Sequence, residues 1–116
     1  MGYRSDVAIC LKKEDYEELA KRAEELEDNI IAIADLVCFD EKDEVVVIRW
    51  GCIKWYNGYP EVDLVEKFLN ELDEQGKPFH YINIGEELTD IEERCGAWED
   101  GICCRIHICR DIELDI

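Results

Sequence analysis

Residues 45–48 read Val-Val-Val-Ile, a β-branched run that constrains this chain more than any other stretch. Stiff, branched side chains fit a pleated and half-buried surface, so the run demands a strand. The preceding LVCFD at 36–40 is a second short apolar run, and the polar EKDE between them supplies a turn. The two predict a hairpin of strands at 36–40 and 45–52. A helix is predicted next, over 60–74. Pro60 suits its first turn, and Val62, Val65, Phe68, Leu69 and Leu72 form one apolar stripe. Gly76 ends it.

The same logic organises the rest. At 3–11, Val7, Ile9 and Leu11 alternate with Asp6, Ala8 and Cys10, which predicts a first strand. At 13–27, Tyr16, Leu19, Ala20, Ala23 and Leu26 recur at helical spacing. Glu14, Asp15, Glu17 and Glu18 crowd the start of that helix, where the dipole favours anions. DNIIAIAD reads as a short second helix capped by Asp28 or Asn29. Strands follow at 79–84 (FHYINI) and 102–110 (ICCRIHICR), with an acidic segment at 86–101 holding one helical turn. The expected class is α+β, in the order β-α-(α)-β-β-α-β-β. It is a ferredoxin-like antiparallel sheet with helices packed on one face. With 116 residues and 47% hydrophobic content, residues 1–116 make a single domain with a sizeable core.

Two faces of the expected sheet differ. Val7, Ile9 and Leu11 are assigned to the helix side. Arg49, Tyr81, Arg105 and His107, with Cys103 and Cys109, are assigned to the open face. That set is too apolar and too mixed for a plain solvated surface, so a partner, a second copy or the 86–101 segment is expected over it. The segment 49–68 carries Trp50, Trp55, Tyr56, Tyr59 and Phe68. Most of these belong to the core and its corners; Trp55 and Tyr59 are the two expected to point outward.

Thirty acidic residues against thirteen basic ones give a net charge of −17. Such a surface repels nucleic acid and anionic lipid and attracts basic surfaces. The acidic groups cluster at 14–18, 24–28, 40–44, 86–93 and 99–100. Glu86, Glu87, Asp90, Glu92 and Glu93, with Trp55 and Tyr59, are the candidate partner-binding residues. Only clustered carboxylates imitate a phosphate track, since screening acts over about 8 Å at physiological salt.

Catalysis finds little support. There is no glycine-rich phosphate loop, no H-E-x-x-H and no G-x-S-x-G. His107 and Cys109 share a strand face, but their backbones lie roughly 6 to 7 Å apart, a strained reach for a base. The seven cysteines are odd in number and contain no C-x-x-C. Buried, reduced thiols are the expectation, with no disulfide, no catalytic residue, no cofactor and no metal. Cys95, Cys103, His107 and Cys109 are the one set that could converge on zinc. The opening MGYRSDVAICL has no signal-peptide character, and no stretch approaches the roughly 18 apolar residues of a membrane span. Met1-Gly2 does not suit myristoylation, because Asp6 stands where Ser or Thr is required. The expected location is cytoplasmic.

The stretches MGYRSDVAI, IKWYNGYPEVDLVEKFLNEL and FHYINIGEELTDIEE together resemble small acidic proteins of bacteriophages and prophages. The likeness covers most of the chain and is most specific at K-W-Y…Y-P-x-V and I-G-E-E. It implies a phage accessory protein acting in the host cytoplasm, and it carries over no catalytic residues. Such proteins include inhibitors of host defence and nucleic-acid mimics. The leading expectation is therefore a non-enzymatic protein that binds a basic surface on a host protein. Two alternatives stand beside it. One is a small-molecule or metal-binding domain using the open sheet face. The other is a structural module that forms a homodimer through its sheet.

Overall fold

The structure, a computed structural model, describes residues 5–26, 29–55, 58–85 and 91–97. Its elements run β1 (Ser5–Lys12), α1 (Lys13–Glu24), β2 (Leu36–Asp40), β3 (Val45–Ile53), α2 (Pro60–Glu74), β4 (Phe79–Ile84) and β5 (Ile91–Cys95). The five strands form one antiparallel sheet in the order β2-β3-β1-β4-β5. The class is α+β, with β1 central.

One core joins both helices to one face of the sheet. Val7, Ile9 and Leu11 of β1, Val46, Ile48 and Trp50 of β3, and Phe79 and Tyr81 of β4 supply the sheet side. Leu19 and Ala23 of α1 and the whole predicted stripe of α2 close over them. Helix α2 begins at Pro60, with the Tyr59 carbonyl accepting from the amides of Val62 and Asp63. It ends where Gly76 turns to φ +70°. There the Gly76 amide reaches the Asp73 carbonyl and the Lys77 amide the Leu72 carbonyl, the paired bonds of a Schellman cap.

Three expectations change. The predicted helix over DNIIAIAD is a set of turns. Asn29 does cap it, its Oδ1 accepting from the Ile31 and Ala32 amides, but the following bonds are single three-residue closures. The Ile30 carbonyl is drawn off to accept the Trp50 Nε1 proton at 2.8 Å, and Asp35 is committed to the Gly51 amide. A nucleus this short has no further bonds with which to propagate. The acidic segment at 86–101 contributes an unpredicted strand, β5, and its described residues 91–97 hold no helical turn. The predicted strand at 102–110 lies outside the described residues.

Tyr81 is the third. It belongs to the core under the helices, not to the open face, and is fully buried. Phe79, His80, Tyr81 and Ile82 are all buried, so β4 offers no alternation of contrast to orient it. Register decides instead: Tyr81 pairs with Ile9 and Phe79 with Leu11, both helix-facing residues of β1. The face turned away from the helices therefore carries Cys10, Val45, Val47 and Arg49 with His80 and Ile82. Cys10, Val45, His80 and Ile82 there are buried, in keeping with a face that is not solvated. Of the cysteines, Cys10, Cys38, Cys52 and Cys95 are described, and none forms a disulfide.

Candidate functional site

Helix α2 carries Glu61, Asp63, Glu66, Glu71, Asp73 and Glu74 against the single cation Lys67. Its apolar stripe is spent on the core, so these charges occupy the remaining surface. Strand β5 runs along the same side of the molecule, and its Glu92 acts electrostatically on Glu66. Partial burial, and next the Glu92 carboxylate, hold the Glu66 carboxyl above its usual range. Asp63 adds to this and Arg94 opposes it. Asp63 and Glu66 of α2 and Glu92 of β5 thus form an acidic flank where helix and strand meet.

The nearby cations are largely engaged. Arg22 of α1 pairs with Glu71 at 2.9 Å and Glu18 at 3.2 Å, with its guanidinium 5.1 Å from the centre of the Phe68 ring. Arg94 donates to Asn70 Oδ1 at 2.6 Å and lies 5.8 Å from the Phe79 ring centre. Both clamp helix to helix or strand to helix. Burial raises the Tyr81 hydroxyl pKa strongly, and its neighbour Asn83 donates to it at 3.2 Å. The phenol is held neutral beneath the flank.

A raised acid binds a proton more readily folded than unfolded. The Glu66 contribution to stability therefore falls as pH rises through the carboxylate range, and is unfavourable at pH 7. Glu66→Gln is expected to stabilise at pH 7 by under about 1 kcal/mol, since the group keeps much of its solvent. The gain should disappear below the carboxylate range, which urea unfolding at both pH values will show.

A second feature lies at the end of β3. Cys52 adopts φ +52°, an uncommon conformation for a non-glycine residue. The Asp6 carboxylate holds its amide at 2.9 Å and Asp35 holds that of Gly51. Beside this bend an open cleft of 360 Å³ is lined by Ile30, Ile33, Trp50, Cys52, Tyr59 and Val62. Trp55 is not outward as expected. It is 7% exposed, its ring centre 5.1 Å from that of Trp50. A large ring leaving β3 finds more apolar area against Trp50 than it would in solvent. Tyr59, 39% exposed, does face outward as expected.

Arg49 is exposed on the face away from the helices, whereas Tyr81 is buried on the other. These two do not converge on one site. Arg105 and His107 lie outside the described residues, as do Glu86, Glu87 and Asp90, with Cys103, Cys104 and Cys109. Glu92 and Glu93 are both exposed but diverge, because side chains alternate along a strand. Glu92 reaches Glu66 and Tyr81, while Glu93 bonds His80 on the opposite face. The contribution of α2 was missed as a site, although Asp63 and Glu66 stand at i,i+3 helical spacing in the sequence.

These features define an α+β domain with an acidic helix-and-strand flank and a small aromatic cleft. No protein-family model matches the chain, and comparison with curated proteins and with solved structures gives no match. No helix among the described residues is long and apolar enough to cross a membrane.

Proposed function

We propose that this protein is a non-enzymatic binding protein whose α2–β5 flank engages a basic surface on a partner protein. This is the role of a phage-type accessory protein acting on a host component. The observation that carries it is the grouping of Asp63, Glu66 and Glu92 where α2 meets β5, on a helix with six carboxylates and one lysine of which Glu71 is already paired with Arg22. The succession β1-α1-β2-β3-α2-β4 supports a ferredoxin-like unit, to which β5 adds an edge. That edge extends the surface beside α2.

The test is a triple variant, Asp63→Asn, Glu66→Gln and Glu92→Gln. Each charge alone is worth roughly 0 to 1 kcal/mol. Together they should slow association with a captured basic partner and flatten its salt dependence, leaving the fold intact. A partner bound equally well by the variant removes the flank from the account.

A second reading rests on β2, an edge strand with Leu36 at 46% and Phe39 at 56% exposure. Exposed apolar edges invite strand pairing between copies. If β2 pairs with its counterpart in a second chain, light scattering should give a dimer mass at micromolar concentration, and Phe39→Glu should return a monomer. A monomer across that range in the unaltered protein rules this reading out.

A further inference from the structure

We propose that His80, Glu93 and Cys95 form a binding site for a divalent transition metal of the zinc type, on the sheet face turned away from the helices. The backbone brings them together. His80 and Cys95 are directly paired across β4 and β5, and Glu93 lies two residues before Cys95 and so on the same face. One ligand atom from each of the three lies within 4.8 Å of the others, and His80 Nε2 is 2.6 Å from Glu93 Oε2. A tetrahedral ion with bonds of about 2.0 to 2.3 Å sets its ligand atoms roughly 3.3 to 3.8 Å apart. Small side-chain rotations therefore admit it.

The three residues are unequal in a useful way. His80 is 4% exposed, its ring fixed by the sheet. Glu93 and Cys95 are exposed, so an ion arriving from solvent can reach their ligand atoms. Imidazole, thiolate and carboxylate together suit zinc or cobalt, whereas calcium and magnesium want oxygen ligands throughout. His80 Nδ1 is buried without a hydrogen-bond partner, so nothing on that side of the ring fixes the tautomer. Coordination through Nε2 places the ring proton on Nδ1, and the missing acceptor keeps affinity below that of sites with a supported histidine. The same coordination releases the thiol proton of Cys95.

Cobalt(II) is the probe, titrated into the full reduced chain and followed by its thiolate charge-transfer absorption. One equivalent should bind with that band, and excess zinc should displace it. Cys95→Ser should abolish the band and Glu93→Gln should weaken binding by more than about tenfold. Both positions are exposed, so both variants should keep the unaltered circular dichroism spectrum. Cys38→Ser, which changes an exposed thiol on β2 at the opposite edge of the sheet, should bind like the unaltered protein. No charge-transfer band in the unaltered chain, or a band that survives Cys95→Ser, overturns the site.

Discussion

Phe68→Ala should destabilise the protein by about 3 to 5 kcal/mol, the usual cost of emptying an enclosed aromatic site. Phe68 is 3% exposed and stands in the core stripe of α2, with the Arg22 guanidinium 5.1 Å from its ring centre. Removing the ring opens a cavity between the helices and the sheet. It also removes the surface on which Arg22 rests while bridging Glu18 and Glu71. Urea unfolding monitored by circular dichroism measures the loss. A change below about 1 kcal/mol would mean that Phe68 is not enclosed.

Trp50→Ala should cost about as much, roughly 3 to 5 kcal/mol. Trp50 is 1% exposed, packs against Trp55, and donates its indole proton to the Ile30 carbonyl at 2.8 Å. Trp50→Phe separates the two contributions. It keeps much of the apolar contact but leaves the Ile30 carbonyl without this donor, a loss of about 1 to 3 kcal/mol. If Trp50→Phe is as damaging as Trp50→Ala, the hydrogen bond to the turn outweighs the packing.

Elements bounded by clear breaks in apolar content were legible in the sequence. Helix α2 falls on the predicted residues because proline, glycine and apolar stripe agree there, and strands β2 and β4 do so because each is a short apolar run flanked by polar or turn residues. Strand β5 was not legible. IEERC has no apolar face to betray a strand, and only its pairing with β4 makes it one. Tyr81 failed for the opposite reason. Its neighbours are apolar on both faces, so its side is set by register with Ile9, a long-range fact. Trp55 was misplaced because the sequence does not reveal that the chain folds back onto Trp50. The candidate flank was half legible. Acidity was plain, but the alternation that sends Glu92 toward α2 and Glu93 toward His80 depends on a strand the sequence did not announce.

That flank is the centre of the account, and one comparison tests it most directly. The unaltered protein and the triple variant Asp63→Asn, Glu66→Gln, Glu92→Gln are immobilised side by side. A partner captured by the unaltered chain from a cell lysate is then purified, and its association rates with both are measured at about 50 and about 200 mM salt, a range over which charge-driven contacts weaken steeply. The account predicts a basic partner whose association with the unaltered chain slows strongly at the higher salt. The variant should associate slowly at both salts. Equal rates for the two proteins, or rates indifferent to salt, would contradict it.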